Sequence, residues 1–202
     1  EYAREEINQI GGFYAYSREL VNKDTVYDFD ITKLVVNTLD IGLAGIEVYD
    51  ILRDDYDIQI EFGDLGNILA YLSVGDRVRD LERLVSALYE IKRRFLRPRV
   101  GMIENEYINP KVMVAPQEAF YSEKKSLELE KCEGQICGEF VMCYPPGIPI
   151  LAPGEEVTEE IIRYIEYAKK KGCSLTGPED MKVNRLQILV ENHRLEESRK
   201  DK

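Results

Sequence analysis

Residue types that do covalent chemistry are sparse in this 202-residue chain. The single histidine, His193, stands in the charged C-terminal stretch "ENHRLEESRKDK", so a Ser-His or Cys-His nucleophile pair would hang on a residue remote from any apolar run. Cys132, Cys137, Cys143 and Cys173 leave four, five and 29 residues between neighbours, a weak match to the close pairs of a zinc site. Cys137 and Cys143 lie in an apolar, strand-like run, and the four read as small buried thiols. There is no G-x-x-x-x-G-K-[ST] phosphate loop, and "GDLG" lacks the spacing of a dinucleotide turn. What remains is carboxylate, most of it placed where a solvated face or a helix cap would want it.

Composition sets the class. An excess of 38 acidic over 27 basic residues, net −11, excludes nucleic acid and anionic membrane as main partners. With 44% hydrophobic residues the chain can bury a real core. No apolar run approaches the roughly 20 residues that span a bilayer, and a cytoplasmic location is expected. The chain opens "EYAREEINQIGG", a helix already under way and stopped by Gly11 and Gly12, so a fragment of a longer polypeptide is expected.

The elements that would position a site follow from periodicity. "KLVVNTL" (33–39) predicts a strand, and Leu43, Ile46, Tyr49 and Leu52 predict a helix. "DIQIEF" (57–62) alternates as a strand, and "NILAYLSV" (67–74) is continuously apolar, as a central strand would be. Asp76 is expected to cap a helix whose Leu81, Leu84, Val85, Leu88, Ile91 and Phe95 face the core, with Arg77, Arg79, Glu82, Arg83 and Lys92 outward. Residues 99–126 read as a connector with a short helical turn, and "GQICGEFVMCY" (134–144) as a strand. Thr158 suits the N-cap of a helix over 159–170, with a Val157–Ile162 staple and Gly172 beyond its end. Leu186, Ile188 and Val190 alternate in a last strand. The fold class expected is α/β (α+β), a small mixed or antiparallel sheet covered by helices.

"YPPGIPILAPGE" (144–155) packs Pro145, Pro146, Pro149 and Pro153 with Gly147 and Gly154 around Ile148, Ile150 and Leu151. Proline fixes φ and removes a donor, so this segment reads as a stiff loop packed against something apolar.

"GQICGEFVMCYPPGIPILAPGEEVT" closely resembles the C-terminal signature of the bacterial ornithine/lysine/arginine decarboxylases. "VYDFDITKLVVNTLDIGLAGIEVYDILRDDYDIQIEFGDLGNILAYLSVGD" resembles that family's small domain, and "APQEAF" the opening of its last subdomain. The resemblance covers roughly residues 1–195, nearest to the short Gram-positive arginine or lysine enzymes. It implies a small domain over 1–100, as in the C-terminal domain of fold-type I pyridoxal-phosphate enzymes, and a C-terminal subdomain over 101–202. It also implies pyridoxal 5′-phosphate in the full enzyme, with a basic amino acid as substrate, the protein's own large cofactor domain as partner and a homodimer or higher homo-oligomer as assembly. The cofactor lysine and its motif are absent here. Lys124, Lys125 and Lys169–Lys171 lie on charged surfaces, so no catalytic residue, no metal and no bound cofactor are expected, and the chain alone should be inactive.

The resemblance assigns the small domain closure over the substrate and recognition of its cationic side chain, which calls for carboxylates or carbonyls. Glu61 and Asp64 match acidic positions of the family pattern, and Glu139 the acid preceding the proline stretch. Tyr144 would add a hydroxyl. Two rival readings are a stand-alone amino-acid or polyamine-binding regulatory module, favoured by the missing lysine, and an aminotransferase small domain, which would need Arg185 or Arg194 for an α-carboxylate.

Overall fold

The computed structural model describes residues 1–99 and 108–190; the expectations for 100–107 and for the tail with His193 and Arg194 fall outside them. The chain divides into two compact units, residues 1–106 with 171–173, and 107–170 with 174–202. Every strand pair described is antiparallel.

In the first unit, α1 (Tyr2–Ile10), α2 (Gly45–Tyr56) and α3 (Val78–Phe95) accompany a sheet of β1 (Tyr14–Ala15), β2 (Lys33–Asn37), β3 (Phe62–Gly63) and β4 (Asn67–Tyr71) in the order β1-β2-β4-β3. The pleat sends alternate residues inward, so Leu34 and Val36 of β2 meet their register partners Ala70 and Ile68 of β4 inside. Onto them pack Val48 and Leu52 of α2 and Leu84, Leu88 and Ile91 of α3. Each large aliphatic side chain so buried contributes about 2 kcal/mol. The expected stripe of α3 is this face, with Leu81, Val85 and Phe95 packed at its margin.

Local chemistry moves three expectations. Asp76 does not cap α3: its carboxylate accepts the Ser73 N–H at 2.6 Å, and the Arg77 N–H at the helix start goes to Asp80 at 3.0 Å. Lys92 does not face out, because its ammonium donates to the Ile10 carbonyl at 2.6 Å and covers the end of α1. Of the alternating run 57–62 only Phe62 enters a strand, opposite Leu69, because Asp57 turns left-handed after α2 and ties the Ile58 N–H back to the Leu52 carbonyl. The basic run that closes α3 is neutralised, with Arg93 on Glu90, Arg94 on Asp55, Arg97 on Glu47 and Arg99 on Asp40.

Arg4 is 4% exposed, donating to the Tyr16 carbonyl at 2.8 Å and the Lys33 carbonyl at 2.9 Å. It stitches α1 to the edge of the sheet. Removing it takes a charged donor from two part-buried carbonyls, so Arg4→Met is expected to cost about 2 kcal/mol, read as a lowered midpoint in urea unfolding; an unchanged midpoint would show that water replaces the guanidinium.

The second unit contains α4 (Pro116–Tyr121), α5 (Glu159–Lys170), a ribbon of β5 (Lys124–Glu128) with β9 (Arg185–Leu189), and a sheet of β6 (Val141–Tyr144), β7 (Ile148–Leu151) and β8 (Ser174–Thr176) in the order β7-β6-β8. As the sequence predicts, the Thr158 hydroxyl accepts the Ile161 N–H at 3.3 Å at the start of α5, whose Ile161, Ile162, Ile165 and Ala168 are buried along with Val157. All four cysteines are buried and none is in a disulfide, and burial pushes the Cys137 thiol up to about 12, which keeps it protonated.

The proline stretch is not one loop. Ile148–Leu151 forms β7, with Pro149 opposite Met142, and a strand at the sheet edge is where proline is tolerated. Pro145, Pro146 and Gly147 make the hairpin turn, with cis bonds before both prolines and the Gly147 N–H on the Cys143 carbonyl at 2.8 Å. Pro153 and Gly154 make a second turn, closed by the Glu155 N–H on the Ala152 carbonyl at 3.2 Å. Gly154 is left-handed at φ 91°, as the third position of a type II turn requires. Its carbonyl accepts the Met113 and Val114 amides and its N–H donates to Cys137.

Asp180 orders the chain entering β9. It accepts the Lys182, Asn184 and Arg185 amides at 2.9–3.1 Å, and these bonds hold its carboxyl below the usual carboxylate range. A folded-state pKa below the unfolded value means that this contribution is complete above the ordinary carboxylate pKa of about 3.9 and is lost as pH falls through the lowered one. Melting curves between pH 7 and 3 should therefore show Asp180→Ala less stable than the parent at neutral pH, the gap closing on acidification. A gap that shows no narrowing down to the acid limit of folding would assign the effect to packing.

Candidate functional site

Glu61 lies where the chain enters β3, its backbone N–H on the Leu69 carbonyl at 2.9 Å and its side chain in solvent. Among the described residues its carboxylate has no hydrogen-bond or ion-pair partner. It lines a cleft of about 500 Å³ with aliphatic walls at Ile58, Leu72, Leu81 and Leu84 and further acids at Asp57, Asp76 and Asp80. Two of those acids are engaged by the Ser73 and Arg77 amides, and Arg83, also in the lining, donates to the carbonyls of Tyr56 and Asp57. A free carboxylate beside aliphatic walls suits a cation carried on a methylene stem.

The other predicted residues are placed differently. One oxygen of Asp64 accepts the Gly66 and Asn67 amides at 2.8 and 2.6 Å, so this acid shapes the β3–β4 turn. Both oxygens of Glu139 are occupied, one by the Gln187 N–H at 2.7 Å and the other by the Glu179 N–H at 2.9 Å. Glu139 thus braces β9 against the segment before Asp180. Tyr144 ends β6 at 57% exposure, and among the described residues no partner is recorded for its hydroxyl. Glu61 and Asp64 belong to the first unit, Glu139 and Tyr144 to the second.

The remaining basic groups are committed or exposed. Arg185 donates to the Ser126 hydroxyl and carbonyl at 2.9 and 3.0 Å, which removes it as a free anchor for an α-carboxylate. Lys124 is held on the Phe120 carbonyl at 2.5 Å and Lys169 on Val183 and Asn184, while Lys125 and Lys170 are exposed. None of these four amines lines the cleft. Among the described residues no cluster of histidine, cysteine or acids could hold a metal ion, and no helix is long and apolar enough to cross a membrane. Periodicity could not have found the cleft, because Tyr71, Leu72 and Ser73 reach it from the end of β4 and Asp80 from the first turn of α3.

This mixed α/β architecture with small antiparallel sheets is that of solved decarboxylases. The chain superposes on the Francisella novicida lysine decarboxylase with a TM-score of 0.64 at 19% identity, covering 93% of this chain and 38% of that one, and on the Escherichia coli constitutive lysine decarboxylase with a TM-score of 0.62 at 17% identity, covering 94% and 39%. The sequence narrows the class. Residues 102–180 match the Orn/Lys/Arg decarboxylase, C-terminal domain, and the chain is 37% identical to the arginine decarboxylase of Bacillus subtilis over 93% of its own length and 39% of that protein. The chain belongs to the Orn/Lys/Arg decarboxylase family and carries its C-terminal domain. It spans about two-fifths of the length of the curated relatives it matches.

Proposed function

We propose that this chain is the substrate-closing part of a pyridoxal-phosphate-dependent decarboxylase that converts arginine, lysine or ornithine to the amine and carbon dioxide in cytoplasmic polyamine biosynthesis. Residues 1–100 would be the small domain and 101–202 the C-terminal subdomain, packed against the protein's own cofactor domain within a homodimer or higher homo-oligomer. The family resemblance supports the reaction. The unpartnered carboxylate of Glu61 in an aliphatic-walled cleft supports the part this chain plays in it.

None of the four amines just described lines the cleft that holds Glu61. In this reading the Schiff-base lysine belongs to sequence that the longer relatives carry and this chain does not, and the chain's own residues do binding work. Glu61 would receive the ammonium or guanidinium of the substrate while Ile58, Leu72 and Leu81 lie along its stem. Asp64 would hold the turn that presents Glu61. The exposed tip of the β6–β7 hairpin, with Tyr144 and Ile148, would be the packing surface.

The test is decarboxylation of arginine, lysine and ornithine with added pyridoxal phosphate, by this chain and by the polypeptide restored to the length of its relatives. Carbon dioxide from the long form alone is expected, and the preferred amino acid names the substrate. In the long form Glu61→Gln should lower kcat/KM about 10- to 100-fold, the worth of one hydrogen bond to a charged group. An unaffected Glu61→Gln enzyme would remove the residue from recognition, and a long form inactive on all three substrates would favour a regulatory module that binds an amino acid or polyamine.

A further inference from the structure

We draw no further inference here: the strongest candidate, the exposed apolar tip of the β6–β7 hairpin at Tyr144 and Ile148, carries nothing because nothing in the structure shows what covers it beyond the packing role already proposed.

Discussion

Gly154→Ala should unfold the second unit at markedly lower denaturant, with a loss of about 4 kcal/mol. Two independent costs meet at this position. A β-carbon there would stand 2.1 Å from the Val114 carbonyl oxygen, and that atom is backbone, so no rotamer change relieves the clash. The φ of 91° adds a conformational cost that alanine carries and glycine does not. Relief by moving the turn would break the bonds from Met113 and Val114 to the Gly154 carbonyl and from the Gly154 N–H to Cys137. Urea unfolding followed by circular dichroism reads the loss. Gly75→Ala is the matched control, since its nearest neighbour would be the Ser73 hydroxyl at 3.5 Å; a change within about 0.5 kcal/mol is expected there. If the two variants unfold together, the close approach at Gly154 is soft and the turn repacks.

The second large effect is expected at Gly45→Ala, about 3 kcal/mol against stability. Helix propensity alone points the other way, because alanine is favoured over glycine in a helix by roughly 1 kcal/mol. Contact decides the sign. A β-carbon on Gly45 would lie 1.9 Å from the Asn67 carbonyl oxygen and 2.8 Å from that of Asp64. Gly63 meets the same crossing from the other side, with a β-carbon there 2.4 Å from the Gly45 carbonyl. The helix start therefore lies directly on the β3–β4 turn, whose Asp64 carbonyl accepts the Ile46 N–H at 2.8 Å. In the restored enzyme the same variant should also raise KM, because the turn it displaces adjoins Glu61. A stabilised Gly45→Ala protein would mean that propensity outweighs the clash.

The elements with strong apolar periodicity were legible in the sequence. The faces of α3 and α5 and the strands β2, β4 and β9 follow from apolar spacing, since burial of one face selects that spacing. What escaped lacked that signal. β5 reads "KKSLE", two lysines first, and is a strand because β9 supplies its partner groups from Arg185 to Leu189. β8 has three residues. The proline stretch misled because φ restriction argues against a central strand and is silent about an edge. Of the candidate site, Glu61 was legible only through resemblance to a family, and its cleft not at all. Asp64 and Glu139 look equivalent to Glu61 in sequence, and only the amides around them, set by tertiary structure, show that one oxygen of Asp64 and both of Glu139 are engaged.

Six of the carboxylates that meet backbone amides share one property. Glu47 reaches Ala44, Asp64 reaches Gly66 and Asn67, Asp76 reaches Ser73, Asp80 reaches Arg77, Glu155 reaches Ala152 and Asp180 reaches Lys182, Asn184 and Arg185. All of these bonds close very short loops, whereas the β5–β9 ribbon must bring Ser126 to Gln187. Loop-closure entropy makes the short closures cheaper by about 2 kcal/mol each, so they are open to the chain while it is still largely unfolded. These six acids thus fasten the corners of the fold at the least cost in chain entropy, whereas Glu139, which bridges to Glu179 and Gln187, carries the cost of bringing distant segments together.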